Sequence, residues 1–432
     1  MPAPNLLFIL ADDLGWGDVS SHGSDINTPT IDRLLDVGTE LRQHYVYPTC
    51  TPTRVGLLTG HYASRFGARA TTPSNDPVLP DDWDTLATRL SAAGYSTGLF
   101  GKWHLGSDPD YGPNEYGFDH AYGSLAGGVD PYNHQYKMGP YAETWHRNGE
   151  PVEEYGHVTD LITDEAARWI ESQTAPWFAY VPFTAVHVPI KAPEAWLNEY
   201  EYAHCSADGA LDRGHKRYAA YASHMDDAVA RLLDVLKEQR VFDDTIVVFA
   251  SDNGAIKDYT NAQEALYPGW AWETPGLGSN HPFRGQKGEL YEGGVRTPAA
   301  VMWHNQPGPA TVDTPISITD WLPTIMDITG NTAASDEWDG ESVRSVICGQ
   351  HEPDDRAIYW NIRDDAFALR YRQWKVIVDA SRSADAAELY DLETDPYERN
   401  DVSDENEPVL NELLATIEAE HQRDGRFLRP AG

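Results

Sequence analysis

The sequence predicts an α/β fold with one large, mostly parallel sheet flanked by helices, followed by a small antiparallel sheet with one helix. Short apolar runs alternate with segments of helical periodicity as far as about Gly340, which is the pattern of a parallel sheet covered by helices. After Gly340 the alternation stops and short apolar runs follow one another closely, as in an antiparallel meander.

The predicted strands of the large sheet are continuous apolar runs, as expected for strands buried on both faces. They cover residues 6–10, 95–100, 177–182, 245–250 and 297–303. The predicted helices carry apolar residues at helical spacing, and two of them are bounded by Pro29 and Gly94. They cover residues 30–37, 83–93, 163–173, 216–239 and 318–328.

Past residue 340 the sequence predicts a smaller unit. Three strands are expected, at residues 357–362, 366–371 and 374–378, then a turn-rich stretch at 389–395 and a closing helix at 408–422. Pro, Asp and Gly residues border the region 340–350, which is typical of a connector. We therefore expect an α/β domain over residues 1–345 and an α+β subdomain over residues 346–432.

The composition limits the classes of partner. The 432 residues include 68 acidic and 32 basic side chains, which leaves a net charge of -36 and argues against a nucleic-acid partner. The hydrophobic fraction of 41% is high enough for a folded core. No apolar run reaches the roughly 18 residues that would span a bilayer, so we expect no membrane-spanning helix. Eight lysines against 24 arginines fit either a surface adapted to high salt or an ordinary acidic protein.

The amino terminus and the cysteines carry information about the compartment. The segment before Asp12 has no basic residue ahead of its apolar run, unlike a secretory signal. The chain as written is therefore expected in the cytoplasm, or in a secreted or periplasmic location if a leader was removed. Cys50, Cys205 and Cys348 are far apart and lack both a disulfide framework and metal-ligand spacing.

Four groups of polar residues directly follow predicted strands. These groups are Asp12-Asp13, Lys102-Trp103-His104, His187 and Asp252-Asn253. A single pair of acids after a strand is more often a helix cap or a turn. Because open α/β sheets hold their sites at the carboxyl ends of their strands, four such groups in corresponding places favour one shared site.

The acidic groups predict a cation site. Asp12, Asp13, Asp252 and Asn253 offer only oxygen ligands, which select Ca²⁺ or Mg²⁺ over zinc. Three carboxylates buried together carry too much negative charge unless a divalent cation compensates them, so we expect a bound cation. The residues alone leave the choice between Ca²⁺ and Mg²⁺ open.

The segment that begins at Cys50 is the most specific pattern in the chain. It reads Cys-Thr-Pro-Thr-Arg, and Leu-Thr-Gly follows at residues 58–60. A short helix is expected to begin near Pro52, and a helix amino terminus favours an anionic partner. With Arg54 one turn further on, the pattern alone fits a low-pKa thiolate nucleophile, as in a cysteine phosphatase. Such phosphatases, however, place a glycine-rich loop between the Cys and the Arg.

The Cys-x-Pro-x-Arg pattern followed by Leu-Thr-Gly resembles the maturation signature of the type I sulfatases, in the alkaline-phosphatase superfamily. The resemblance extends over almost the whole chain, and its closest likeness is to arylsulfatases of the N-acetylgalactosamine-4-sulfatase type. Thr53 departs from the family, which usually has Ser at that position. Further matching motifs are Ala11-Asp12-Asp13-Leu14-Gly15, Gly101-Lys102-Trp103-His104-Leu105-Gly106, Ser251-Asp252-Asn253-Gly254, Gly293-Gly294-Val295-Arg296 and Leu389-Tyr390-Asp391-Leu392.

The resemblance implies an alkaline-phosphatase-like fold and a sulfate ester hydrolase that depends on formylglycine. In such enzymes a formylglycine-generating enzyme oxidises the signature cysteine, here Cys50, to an aldehyde. The hydrated aldehyde, a gem-diol, then attacks the sulfur of the ester. The resemblance also implies Ca²⁺, with Mg²⁺ less favoured, in a site formed by Asp12, Asp13, Cys50, Asp252 and Asn253.

The same resemblance implies a role for each basic side chain. Arg54 would hold the diol and one metal ligand, while Lys102 and Lys287 would contact the sulfate and the departing oxygen. The remaining roles are proton transfers. His187 would assist the leaving alcohol, His104 would take a proton from the second hydroxyl, and Asp252 would take the proton of the attacking hydroxyl.

Three functions remain open at this stage. The first is hydrolysis of a sulfated small molecule or saccharide, the second is hydrolysis of phosphonate or phosphate esters by the same aldehyde, and the third is sugar or metal binding without catalysis. Candidate substrate contacts are His22, His134, His215 and His281. The aromatic segment 267–272 fits either a sugar-stacking surface or a packed loop.

Overall fold

The computed structural model of the chain describes residues 3–137, 139–174, 176–200, 210–257, 277–306, 308–333, 337–350, 355–380 and 387–428, with only the backbone at 210–213. Cys205 and the aromatic segment 267–272 lie outside these residues. Among the described helices, none is both long and apolar enough to cross a membrane.

The strands of the described residues form three sheets. In chain order they are β1 (Asn5–Ala11), β2 (Thr39–Leu41), β3 (His44–Tyr45), β4 (Ser96–Lys102), β5 (His120–Ser124), β6 (Trp145–Arg147), β7 (Glu150–Pro151), β8 (Trp177–Pro182), β9 (Thr245–Ser251), β10 (Ala299–Trp303), β11 (Thr311–Val312), β12 (Ile316–Ser317), β13 (Ala357–Ile362), β14 (Ala366–Tyr371), β15 (Trp374–Asp379) and β16 (Ala387–Asp391). Ten of them form one sheet in the order β11-β2-β10-β9-β1-β8-β4-β5-β6-β7, and β3 pairs with β12. The central strands β9, β1, β8, β4 and β5 are all parallel, which confirms the predicted mostly parallel sheet.

Helices cover both faces of this sheet. In chain order the α-helices are α1 (Pro29–Val37), α2 (Cys50–Thr59), α3 (Leu86–Ala92), α4 (Val158–Ser172), α5 (Glu194–Leu197), α6 (Ala210–Glu238), α7 (Glu292–Val295), α8 (Trp321–Thr329), α9 (Arg344–Ile347) and α10 (Glu407–His421). Successive side chains of β1 point to opposite faces. Phe8 packs in a core with α2, α3 and α8, whereas Leu7 and Ile9 pack in a second core with α1, α4 and α6.

Several predicted helix starts differ from the structure, among them those of α6 at Ala210 and α8 at Trp321, and side-chain caps account for two others. Helix α3 begins at Leu86 rather than residue 83, since Thr85 accepts hydrogen bonds from the backbone N–H groups of the next turn. Helix α4 begins at Val158 rather than residue 163, because the His157 ring accepts a hydrogen bond from the Thr159 N–H. A histidine cap is not among the usual sequence signals for a helix start.

The carboxyl-terminal region forms a four-stranded antiparallel sheet in the order β13-β14-β15-β16. The sequence prediction missed its last strand, β16, and assigned residues 389–395 to turns. Acidic residues at 388 and 391 interrupt the apolar run there, although Leu389 and Tyr390 are buried and β16 pairs with β15. Helix α10 packs against this sheet through Leu413 and Ile417. The proposed division at residues 345 and 346 stays a prediction.

A buried group of charges joins this sheet to the start of α7, and we call Glu292, Lys375 and Glu398 the carboxyl-terminal ion cluster. Lys375 Nζ lies 2.8 Å from Glu292 Oε1 and 2.9 Å from Glu398 Oε1. The Glu292 N–H donates to Glu398 Oε2 at 2.6 Å, and the Tyr45 hydroxyl donates to Glu292 Oε2 at 2.8 Å. Each carboxylate oxygen therefore has a donor or a cation beside it. Burial, reinforced by the nearby Glu292 carboxylate, raises the pKa of Glu398 to about 7.

Candidate active site

The four polar groups that follow strands lie side by side because their strands are neighbours. The order β9-β1-β8-β4 in the sheet brings together the loops that contain Asp252, Asp12, His187 and Lys102. All four strands run parallel, so these loops emerge at the same edge. The sheet thus gathers residues that are up to 240 positions apart in the sequence.

Backbone hydrogen bonds fix the acidic loop after β1. The Asp12 N–H donates to the Ala185 carbonyl at 2.9 Å, and the Val186 N–H donates to the Asp12 carbonyl at 2.6 Å. Asp13 has a positive φ of 66°, and its N–H donates to Asp252 Oδ1 at 3.2 Å. One potential ligand atom each of Asp12, Asp13 and His187 lies within 4.8 Å of the other two.

Each buried carboxylate is paired with a basic side chain, and we call these six residues the active-site cluster. The pairs join Lys102 Nζ to Asp12 Oδ2 at 2.7 Å, Lys287 Nζ to the two Asp13 oxygens at 2.6 and 2.8 Å, and Arg54 Nη2 to Asp252 Oδ2 at 2.8 Å. The sequence argument that three buried carboxylates need a divalent cation for charge balance is therefore wrong as stated. Three of the protein's own cations supply that balance.

Two buried oxygens of the site nevertheless have no hydrogen-bond partner. They are Asp12 Oδ1 and Asn253 Oδ1. The Asn253 amide donates through Nδ2 to Asp13 Oδ1 at 2.7 Å, which leaves its oxygen for another group. An unpartnered buried oxygen is costly, and hard oxygen ligands of this kind suit Ca²⁺ or Mg²⁺. The residues present therefore fit a divalent cation.

The two metal-site aspartates differ in acidity. Burial and the neighbouring Asp252 carboxylate raise the pKa of Asp12 to about 8. Burial acts in the same direction on Asp13, but the ammonium groups of Lys287 and Lys102 outweigh it and hold the pKa of Asp13 well below its ordinary value. Although the cluster is balanced in formal charge, the charged form of Asp12 is disfavoured mainly by burial, and a cation bound there would stabilise it.

Cys50 is the first residue of α2 rather than a residue ahead of the helix, and its side chain is 2% exposed. Burial raises the pKa of its thiol, and the charges of Lys102 and Lys287 offset this only in part. The hypothesis of a low-pKa thiolate nucleophile is therefore contradicted. The same interactions place Cys50 within electrostatic reach of the active-site cluster.

Two threonines tie the first turn of α2 to the neighbouring loops. The Thr51 hydroxyl donates to the His104 carbonyl at 3.2 Å. The Thr53 hydroxyl donates to the Asp252 carbonyl at 2.7 Å and accepts from the Tyr47 N–H at 2.9 Å. Thr53 thus makes the polar contacts that a serine hydroxyl would make at this position.

Arg54 is fully buried and binds protein groups on both sides. Its Nη1 donates to the Lys102 carbonyl at 2.7 Å, and its Nη2 donates to Asp252. The guanidinium therefore aligns the loops after β4 and β9. This geometry agrees with a residue that holds a metal ligand in place.

Both histidines of the site are neutral. Burial and the nearby lysines hold the pKa values of His104 and His187 well below the ordinary value. His187 Nδ1 donates to the Val188 carbonyl at 2.7 Å, so its Nε2, 4.0 Å from Asp13, carries the lone pair. His104 Nδ1 is buried without a partner. Its ring packs on Gly127, where a Cβ would lie 2.2 Å from Nε2, so only glycine leaves room for the ring.

The other predicted histidine contacts lie outside the cluster. His22 bonds Glu40 and stacks on Trp16, His134 bonds the Gly156 carbonyl, and His215 pairs with Asp25. His281 is exposed. None of these four contacts the active-site cluster through a hydrogen bond or ion pair among the described residues.

Sequence reasoning missed a buried residue that connects two catalytic loops. Asn280 accepts from the Ala255 N–H at 2.7 Å and donates to the Ala255 carbonyl at 2.9 Å and the Gly285 carbonyl at 3.2 Å. The Lys287 N–H donates to the same Ala255 carbonyl at 3.1 Å. Asn280 thereby joins the loop after β9 to the loop of Lys287. No local pattern marks it, since a single asparagine in a loop is common.

The family models and the relatives that match this chain all belong to one class of protein, the sulfatases. A family model described as Sulfatase matches residues 4–331, and one described as N-sulphoglucosamine sulphohydrolase, C-terminal, matches residues 283–423. Arylsulfatase J of Mus musculus is 32% identical over 398 residues, which is 88% of this chain and 62% of that protein. N-acetylgalactosamine-6-sulfatase of Homo sapiens is 31% identical over 377 residues, which is 82% of this chain and 64% of that protein. The chain thus spans under two thirds of the length of these two relatives.

A solved structure is similar over nearly the whole chain. The crystal structure of Ps i-CgsB in complex with k-i-k-neocarrahexaose superimposes with a TM-score of 0.84 at 29% identity. The alignment covers 98% of this chain and 93% of that one. The match therefore extends through both the large sheet and the carboxyl-terminal sheet.

Proposed function

The chain belongs to the sulfatase family of sulfuric ester hydrolases, and from that premise we propose that it hydrolyses sulfate esters of a saccharide through a formylglycine derived from Cys50. The observation that carries the proposal is the position of Cys50 at the start of a helix, within electrostatic reach of the lysines and carboxylates of the active-site cluster. The complex of Ps i-CgsB with k-i-k-neocarrahexaose supports a saccharide as substrate.

A modified side chain fits residue 50 better than a thiol does. Burial raises the pKa of the thiol, so little thiolate would form at neutral pH. The aldehyde would supply, once hydrated, an oxygen nucleophile that forms and releases a covalent ester. His104, neutral and with an unpartnered ring nitrogen, is suited to accept a proton from this side chain.

Asp12, Asp13, Asp252 and Asn253 would hold a divalent cation, with Ca²⁺ favoured and residue 50 as a further ligand. A cation bound there would acidify the nucleophile and offset charge on the sulfate oxygens. Arg54 would keep Asp252 oriented, as its 2.8 Å contact indicates. The active-site cluster is already charge-balanced, so substrate and cation together bring no large net charge into it.

Lys102 and Lys287 would bind the sulfate and the departing oxygen. Both carry ammonium groups beside the carboxylates, and Lys287 is partly exposed at 12% of its side chain. Their charge-assisted donors suit sulfate oxygens. His187 Nε2 is an acceptor in its present state, so its assistance to the leaving alcohol requires a proton, which an anionic substrate nearby would favour.

Mass spectrometry and parallel kinetics test the proposal. In protein co-expressed with a formylglycine-generating enzyme, the tryptic peptide of residues 43–54 should be lighter by about 18 Da than its unmodified form. The same preparation should turn over 4-nitrophenyl sulfate faster than a phenyl phosphonate ester. A panel of defined sulfated saccharides then identifies the substrate. An unmodified peptide in an active preparation, or a preference for the phosphonate, would contradict the proposal.

A further inference from the structure

Asp18 is a buried carboxylate next to the loops of the active site, and a basic group that acts on its charge, His215, does so without a direct ion pair. Asp18 is 1% exposed, and among the described residues no basic side chain forms an ion pair with it. Its oxygens accept three hydrogen bonds, all from neutral donors. Burying a charge in this way is costly unless its hydrogen bonds are strong and complete.

The three donors come from three different segments. The Gly15 N–H donates to Asp18 Oδ2 at 2.8 Å, the Tyr218 hydroxyl to Oδ2 at 2.7 Å, and the Ser279 N–H to Oδ1 at 2.8 Å. Gly15 follows the acidic loop after β1, Tyr218 lies on α6, and Ser279 opens the loop that leads to Lys287. Asp18 thus binds together segments that lie far apart in the sequence.

Each of these segments continues directly into the active site. The Tyr218 hydroxyl also lies 3.2 Å from the Asp13 carbonyl oxygen. Ser279 precedes Asn280, which holds the Ala255 backbone, and Ala255 in turn accepts from the Lys287 N–H. The contact between Lys287 Nζ and the Asp13 carboxylate therefore spans two loops that Asp18 ties together from behind.

The packing around Gly15 leaves little freedom for these loops to move independently. A Cβ at Gly15 would lie 2.2 Å from the Ser279 carbonyl oxygen, so the two backbones are in direct contact. The Gly17 N–H donates to that same carbonyl at 2.9 Å. Asp18 therefore closes a small hydrogen-bonded unit made of the loops after β1 and before Lys287.

We propose that Asp18 is a positioning residue, which sets the distance between Asp13 and Lys287 and so the shape of the cation and sulfate sites. The proposal rests on the proposed function for its catalytic consequence. An acceptor is required at both side-chain oxygens, because a backbone N–H, which can only donate, faces each of them. Asparagine would turn an amide N–H toward one of these backbone donors and disturb the unit without changing its size.

The chain offers a matched control in Asp226. It is 2% exposed, and its oxygens accept from the backbone N–H groups of Thr30 and Ile31 at the start of α1, at 2.7 to 3.1 Å, with the Thr30 side chain as a further neutral partner. Like Asp18, it forms no ion pair with a basic side chain of the described residues. It differs in holding a helix start rather than the catalytic loops.

The experiment compares Asp18→Asn with Asp226→Asn in the full, matured enzyme. We expect both variants to melt at lower temperature than the wild type. Only Asp18→Asn should lower kcat on 4-nitrophenyl sulfate by about 10- to 100-fold, and weaken by a similar factor the apparent Ca²⁺ affinity read from the Ca²⁺-induced rise in melting temperature. Amide hydrogen exchange should speed up at residues 13–15, 255 and 287 in Asp18→Asn, and at residues 30–31 in Asp226→Asn.

The outcomes separate this inference from the function on which it rests. If Asp18→Asn matches Asp226→Asn within twofold in kcat and Ca²⁺ affinity, with exchange unchanged in the catalytic loops, Asp18 has no positioning role. If the wild type lacks both activity and a response to Ca²⁺, the proposed function fails, while loop exchange still decides whether Asp18 holds the loops. Should Asp18→Asn not fold, Tyr218→Phe removes one donor alone, and an unchanged kcat in that variant would overturn the inference.

Discussion

The active-site cluster and the carboxyl-terminal ion cluster both bury carboxylates beside lysines, but they differ in how completely the oxygens are partnered. In the carboxyl-terminal ion cluster every carboxylate oxygen has a donor or a cation within 2.9 Å; Glu398 Oε1 has no hydrogen bond, but the Lys375 ammonium lies beside it. In the active site, Asp12 Oδ1 and the adjacent Asn253 Oδ1 have none. Formal charge points the wrong way, because the active-site cluster has one basic side chain for each carboxylate whereas the carboxyl-terminal ion cluster has one lysine for two carboxylates. Unused oxygens, rather than uncompensated charge, distinguish a site from a structural cluster.

Removal of the sulfur at residue 50 is the strongest test of the catalytic side of this comparison. Cys50→Ala should lower kcat/KM for 4-nitrophenyl sulfate by ~10⁴-fold or more, because a nucleophile and its covalent step are lost. Cys348→Ala is the matched control, since that cysteine is only partly buried and lies at the end of α9. Equal activity of Cys50→Ala and Cys348→Ala would contradict the role of residue 50.

Disruption of the carboxyl-terminal ion cluster should lower the stability of the fold and leave the catalytic rate unchanged. Lys375→Met leaves the buried Glu398 without a cation and Glu292 with only Arg296, 3.3 Å away, and should lower the free energy of unfolding by about 3–5 kcal/mol. Chemical denaturation measures this loss, and kcat per folded molecule should stay within about twofold of the wild type because no residue of the cluster touches the reacting groups. A fall in kcat larger than the fall in folded fraction would show that the two clusters are coupled.

The carboxyl-terminal ion cluster should also affect how the free energy of unfolding depends on pH. Glu398 has an ordinary pKa of 4.5 that is raised to about 7 in the fold. The folded state therefore binds the proton more tightly, and this stability is full below pH 4.5 and lost as the pH rises to about 7. The loss amounts to about 3 kcal/mol. In Glu398→Gln the total change in unfolding free energy between pH 4.5 and 7 should be smaller by that amount, and an unchanged pH dependence would argue against a raised pKa.

Cation binding should stabilise the protein through the active-site cluster and not through the carboxyl-terminal ion cluster. At a hundred times its dissociation constant, Ca²⁺ should raise the free energy of unfolding by about 2.7 kcal/mol, and a chelator should reverse the gain and the activity together. Asp12→Asn removes one ligand oxygen and should abolish the response, whereas Glu398→Gln should keep it. A response that survives in Asp12→Asn would place the cation elsewhere.

The smallest expected effect is the difference in stability between two substitutions of Thr53. Its hydroxyl links Tyr47 to the Asp252 backbone, so Thr53→Val leaves two buried groups unpaired and should cost about 1–3 kcal/mol of stability. Thr53→Ser keeps the hydroxyl and should cost under about 1 kcal/mol, with the extent of modification at residue 50 unchanged by peptide mass spectrometry. Equal losses in the two variants would show that the methyl group, and not the hydroxyl, matters here.

Much of the fold could be predicted because buried parallel strands are continuous apolar runs, and residues 177–182 form a strand with the predicted bounds. Strand β16 could not, since its acidic residues conceal a half-buried strand. The four polar groups could be predicted because they follow strands. No local sequence pattern predicts the sheet order β9-β1-β8-β4 or the pairing of Lys287 with Asp13, since both depend on long-range packing. Asp18 was missed for the same reason, since its partners are 3, 200 and 261 residues away.

The most direct test is a crystal structure of the matured enzyme grown with Ca²⁺. The expected result is an aldehyde or its hydrate at residue 50, with a cation about 2.3–2.6 Å from Asp12 Oδ1 and Asn253 Oδ1. A sulfur atom at residue 50 in crystals of a fully active preparation would contradict the central claim. A cation bound away from both of these oxygens would contradict it equally.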